Sequence, residues 1–326
     1  MHTKTFIIAE IAQGFEGNPW LCKKYIDLAK RCGADAVKFQ IFRADELATT
    51  DYPYYDLFKS LEIEPAIWKE LIDHANSINI DFLSDIYGAE TLDWISKAGI
   101  KGVKIHSTDI MNYPLLEKVK QTGLMIYLAV GGSSKEEIAN ALAITGTEGI
   151  ALLSGFQAEP NILEDLELDK IDQLVKTFHI PVGYADHVDP ASALATALPA
   201  VAVMKGATII EKHLTVDRDN LQLEDYVSAL DPEEFKKMVA LIRDVEQLPV
   251  TNEYKLSERE AAYRGRTKRS IVVTTGMNAG DIVTANNITL LRTAEKGDFF
   301  DMNEVVGKKV NRTLQAGDTL KQQDIV

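Results

Sequence analysis

Two short polar clusters in this 326-residue chain hold the residue types best suited to chemistry: Asp186-His187 and Glu211-Lys212-His213, each following an apolar run. Imidazole is a common ligand for divalent cations, and two imidazoles among carboxylates make a metal site with open positions for substrate oxygens. Taken singly, His187 could cap the helical run that begins at Pro190, and His213 could bond a backbone carbonyl. Together, with Asp186 and Glu211 beside them as catalytic carboxylates, they point to a divalent metal. A second set comprises lysines inside otherwise apolar runs: Lys38, followed by Gln40, and Lys104, followed by Ser107 and Asp109. An unpaired buried ammonium is costly, so each lysine needs an anion. Either one could pair with a local carboxylate. Two directed at one site point instead to a bound phosphate or carboxylate, with Gln40 and Ser107 as neutral donors. Glu10 suits proton transfer or hydroxyl binding.

These residues can meet only if the chain brings the ends of its apolar runs together. Runs rich in Val, Ile and Phe alternate with amphipathic helical runs, the pattern of a parallel sheet. Strands are predicted at Thr5–Ile11, Asp35–Gln40, Ile80–Ser84, Lys101–Ile105, Leu124–Val130, Gly149–Leu153, Pro181–Tyr184 and Ala207–Lys212. Eight such units predict a (β/α)8 TIM barrel, whose functional groups belong at the C-terminal strand ends; an open doubly wound sheet is the competing arrangement. Asn18-Pro19, Glu64-Pro65, Asp189-Pro190 and Asp231-Pro232 read as helix starts, while Gly33, Gly99 and Gly123 read as stops. A period of two puts Lys38 with Gln40, and Glu211 with His213, on common strand faces.

The alternation ends near residue 250. Residues 1–250 are expected to form the catalytic barrel and 251–268, charged and polar, a linker. Residues 269–326 are expected to form a small β-rich domain punctuated by two Ala-Gly-Asp turns at 279–281 and 316–318. A domain of that size has little core of its own and is expected to lean on a partner surface. The formal charge of -14 argues against nucleic acid or an anionic membrane as partner. With no apolar stretch long enough to span a bilayer and no leader-like start, cytoplasmic residence is the expectation. Cys22 and Cys32, the two cysteines, are expected to be reduced core thiols.

The set AEI…GN at Ala9–Asn18, GADAVKFQ at Gly33–Gln40, VKIHSTDIMNYPLL from Val103, GYADH at Gly183–His187 and EKHLTVDR at Glu211–Arg218 resembles the sialic acid synthase family across nearly the whole chain. The C-terminal segment is similar to the antifreeze-like (SAF) domain of those enzymes. The resemblance implies condensation of phosphoenolpyruvate with an N-acetylated mannosamine-type sugar or a bacterial nonulosonate precursor, giving a nine-carbon 3-deoxy-2-keto acid and phosphate. It implies manganese or magnesium on His187 and His213, and phosphoenolpyruvate held by Lys38, Gln40, Lys104 and Ser107. Glu10 and Asp109 would act on protons or sugar hydroxyls, and Asp225 would lie near the sugar. Arg292 would reach over a partner subunit's site in a domain-swapped homodimer. Departures fall at Ser84-Asp85-Ile86-Tyr87-Gly88, Ala129-Val130-Gly131-Gly132 and Ala185, where the family carries hydroxyl donors; Gln157 is the expected compensating donor. The alternatives are a related barrel aldolase with a different keto-acid donor and a non-catalytic sugar-binding protein on the same scaffold.

Overall fold

The computed structural model describes residues 4–155, 160–249 and 253–326, in two compact units, Met1–Val250 and Thr251–Val326. In the first, β1 (Phe6–Ala12), β2 (Ala36–Gln40), β3 (Asp81–Ile86), β4 (Gly102–Ile105), β5 (Met125–Ala129), β6 (Ile150–Ser154), β7 (Val182–Asp186) and β8 (Ile209–His213) pair in sequence order. β8 pairs in parallel with β1, so the sheet closes into a barrel. The helices follow their start signals: Asn18 Oδ1 accepts from the backbone N–H of Trp20 at 3.0 Å, and Ser134 and Glu137 form a reciprocal capping box.

Strand residues alternate between two cores. Outward-facing Phe39 and Phe82 stack with ring centroids 5.3 Å apart and pack against Trp68 of helix Pro65–Ser77. Each such fully buried side chain contributes roughly 1.5–3 kcal/mol. Inward-facing Ile8, Leu83, Tyr127, Leu153 and Ile209 fill the lower barrel as a separate apolar cluster. β3, β7 and β8 run past their expected ends at Ser84, Tyr184 and Lys212, taking Asp85, Asp186 and His213 into the ladder. Lys38 pairs with Asp85 and Lys212 with Asp186 inside the fold, so charge there does not end a strand.

The second unit has a core of its own, with Ile271, Val273, Met277, Val283, Leu314 and Leu320 buried together. β9 (Ser270–Val273) and β10 (Ile288–Leu291) pair antiparallel. The Ala-Gly-Asp turns are structurally alike. Asp281 and Asp318 accept from the backbone N–H groups of Asn278 and Gln315, at 2.7 and 2.8 Å, and Gly280 and Gly317 have φ of 92° and 95°. The stretch expected to be a linker contains helix Glu258–Thr267, started by a Ser257–Glu260 capping box. Cys22 and Cys32 are buried and free. Among the described residues no helix is long and apolar enough to cross a membrane.

Candidate active site

Above the apolar floor of the barrel, five charged side chains form one layer: Glu10 on β1, Lys38 on β2, Asp85 on β3, Lys104 on β4 and Glu211 on β8, none more than 4% exposed. Register places them side by side, Glu10 opposite Lys38 and Asp85 opposite Lys104. The Lys38 ammonium meets Glu10 and Asp85 in close ion pairs and Glu211 at 3.3 Å. Lys104 bonds Glu211 Oε1 at 2.5 Å. β1 bulges after Glu10, where Ala12 adopts φ 49° and its N–H donates to Glu10 Oε1 at 2.6 Å. A non-glycine residue in that region is strained, and such strain clusters at functional sites.

Three carboxylates share two ammoniums in a dry layer, and their proton affinities separate. Burial raises the Glu10 carboxyl to about 8, against the pull of Lys38, so Glu10 binds a proton far more readily than an exposed glutamate. Burial acts the same way on Glu211, but Lys104 and Lys38 together hold it at about 2. Desolvation opposes the Lys38 charge, and its three carboxylates overcome it, raising the ammonium well above its ordinary value.

His213 ends β8 on the same face as Glu211, and His187 follows β7. Their ring centroids are 5.3 Å apart, with 56° between planes. A metal about 2.1 Å from one nitrogen of each ring lies about 3.2 Å from each ring centre, so two rings on one tetrahedral ion stand roughly 5 Å apart. Burial keeps both imidazoles neutral, lowering His213 to about 3 and His187 well below its ordinary value. Neutral imidazole is the ligating form. The pair therefore fits a divalent ion, although no group of three or more His, Cys, Asp or Glu surrounds one among the described residues.

Residues 25–254 match the NeuB family and residues 268–326 the SAF domain. The chain belongs to the NeuB family. It is 35% identical to an uncharacterised protein of Methanocaldococcus jannaschii, over 99% of this chain and 95% of that one. It is 31% identical to the N,N'-diacetyllegionaminic acid synthase of Legionella pneumophila, over 98% and 94% of the two chains. The solved N-acetylneuraminic acid (sialic acid) synthetase of Leptospira borgpetersenii superposes with a TM-score of 0.74 at 29% identity, covering 81% of this chain and 93% of that one. Like those named synthases, this NeuB-family chain is an enzyme, a carbon–carbon bond-forming transferase.

Within this NeuB-family barrel Asp186 is not where its neighbours suggested. Asp186 and Lys212 are in register, as are Ala185 and Glu211. Because side chains alternate, the first pair points out toward the helices and the second points in. Asp186 lies 3.2 Å from Lys212 and accepts from the Val188 N–H at 3.0 Å, away from the charged layer. Asp186, expected among the catalytic carboxylates, is thus paired with Lys212 outside the charged layer. Lys38 is likewise enclosed by the protein's own carboxylates, the alternative considered for it, whereas Lys104 keeps a single partner among the described residues. Gln40, half-buried at the rim, accepts from the Gln13 amide at 2.9 Å. Ser107 and Asp109 lie on the 3-10 turn after β4, and Asp109 accepts from the Asn112 amide at 2.9 Å. Asp225 has φ 64° and accepts from the Gln13 N–H at 3.5 Å. Gln157 is outside the described residues. Arg292 is exposed just after β10 in the second unit.

Sequence reasoning missed Gln13, which links Gln40 to Asp225. Its position three residues after Glu10, at a strand end, was the available signal. Tyr87 was noted only as part of a departure; it stacks edge-on with Phe42 at 5.9 Å and lies 6.3 Å from the His106 ring.

Proposed function

We propose that this chain condenses phosphoenolpyruvate with an N-acetylated amino-hexose, of the mannosamine type or a bacterial nonulosonate precursor, to a nine-carbon 3-deoxy-2-keto acid and phosphate. One observation carries the reading: a neutral histidine pair stands beside a buried carboxylate–ammonium layer at the C-terminal mouth of a NeuB-family barrel. A manganese or magnesium ion on His187 and His213 would polarise the aldehyde oxygen of the sugar. The methylene carbon of phosphoenolpyruvate bonds to the aldehyde carbon, water adds at the former enol carbon, and phosphate leaves. Lys104 and Ser107 hold the donor's anionic end. Glu10 enters protonated and handles the proton of the new hydroxyl, while Glu211 remains ionised and fixes Lys104. Gln13, Gln40, Asp109 and Asp225 take acceptor hydroxyls, with Gln157 as a further amide donor. Arg292 from a partner copy contacts the N-acetyl group in a domain-swapped homodimer, and the enzyme works in the cytoplasm.

The test is phosphate release from phosphoenolpyruvate with manganese and a panel of 2-acetamido and 2,4-diacetamido hexoses. Absence of release with every sugar, from folded protein, sinks the reading. The enclosure of Lys38 by three carboxylates favours a second reading, a different keto-acid donor. In that case pyruvate-like acids raise the melting temperature and phosphoenolpyruvate does not.

A further inference from the structure

Lys38 has three N–H donors and faces three carboxylates, Glu10, Asp85 and Glu211. Two of these have additional partners: Glu10 accepts from the Ala12 N–H, and Glu211 from Lys104. The Asp85 side chain bonds Lys38 alone, through Oδ2, while its Oδ1 is buried without a hydrogen-bond partner. Asp85 thus makes fewer bonds than Glu10 or Glu211, and an unsatisfied oxygen in a dry layer is costly. What Asp85 supplies there is negative charge beside an ammonium. Its register neighbours are Gln40 at the half-buried rim and Lys104, so the position borders the space through which a ligand approaches both lysines.

We propose that Asp85 sets the anion capacity of this site. It acts as the internal counter-ion of Lys38 and leaves Lys104 as the one ammonium offered to substrate, so the barrel layer selects a donor presenting a single anionic group to it. Asp85 is thus a specificity-determining residue, and this role rests on the reading that the mouth takes an anionic enol donor. Neutralising residue 85 frees an N–H and a positive charge at Lys38 and creates a second anion position.

The experiment is calorimetric titration of inorganic phosphate and of phosphoenolpyruvate into the full-length protein and its D85N, D85S, D85E and K104M variants, with folding checked by near-ultraviolet circular dichroism. D85N and D85S are expected to bind phosphate at least about tenfold more tightly than wild type, while D85E, which keeps the charge, does not. In the otherwise unaltered protein K104M is expected to abolish phosphate binding, a result that requires no change at residue 85. Phosphate affinity unchanged or weakened in both folded neutral variants overturns the proposal, and so does full binding by K104M. Failure of wild-type turnover with every sugar, alongside the gain in D85N or D85S, counts against the reaction and supports the role of Asp85.

Discussion

Glu211 and Lys212 are consecutive on β8, yet they belong to different electrostatic systems. Glu211 points into the barrel, where three carboxylates compete for Lys38 and Lys104. Lys212 points outward and faces one carboxylate, Asp186, with a hydrogen bond to the Val188 carbonyl at 3.1 Å. Both systems are buried. The outer pair balances one charge against one, and burial pushes both partners toward their neutral forms, Asp186 up and Lys212 down. In the inner layer burial raises Glu10 to about 8, with Glu211 and Asp85 adding to the rise, while Lys104 and Lys38 overcome burial at Glu211 and hold it at about 2. Separated proton affinities let one group enter as an acid while its neighbour stays a base. Both systems are buried, and it is the number of ammoniums beside each carboxylate that sets Glu211 apart from Asp186.

The largest effect separating the two systems is expected at the rim of the inner face. H187A or H213A should lower activity about 10^3-fold and abolish the melting-temperature rise expected with manganese. Next, E211Q should cost about 10^2-fold or more in kcat, whereas D186N should leave kcat within about threefold and instead destabilise the barrel by roughly 3–5 kcal/mol in denaturant titrations. A kcat loss in D186N matching that of E211Q, with stability intact, would erase the inner–outer division.

A smaller effect is expected in the pH dependence of the metal-free protein. The Glu10 carboxyl is raised in the folded state from 4.5 to about 8. Its contribution is therefore full below about pH 4.5 and falls away as pH rises toward 8. His213 acts in the opposite sense: lowered from 6.5 to about 3, its contribution is present above pH 6.5 and lost on acidification. E10Q should flatten the alkaline decline of the melting temperature and leave the acid limb unchanged. An identical alkaline limb in E10Q and wild type would remove Glu10 from the shared-proton account. The smallest expected change is in Q13A. Losing the amide bond to Gln40 should raise the KM for the sugar about threefold to tenfold, with kcat little altered.

Residue types and spacing determined a good deal. Val- and Ile-rich runs alternating with helices imply a parallel sheet, whose closure into a barrel their number predicts, and the period of two places Lys38 with Gln40 and Glu211 with His213, because alternation and period are local consequences of backbone geometry. The polar clusters Asp186-His187 and Glu211-Lys212-His213 located the histidine pair, and the resemblance at GYADH and EKHLTVDR agreed with it. Which way Asp186 points was not legible, because the expected strand stopped at Tyr184 and the alternation was not carried two residues further. Asp85 was visible as a departure, but its pairing with Lys38 depends on the neighbouring strand's register. Gln13 joins Gln40 and Asp225 across 27 and 212 positions of sequence. Sequence alone thus determined which residues could do chemistry and on which face most of them stand. Only the tertiary structure decided which carboxylate each ammonium serves, because counter-ions in a closed barrel are shared among strands far apart in the chain.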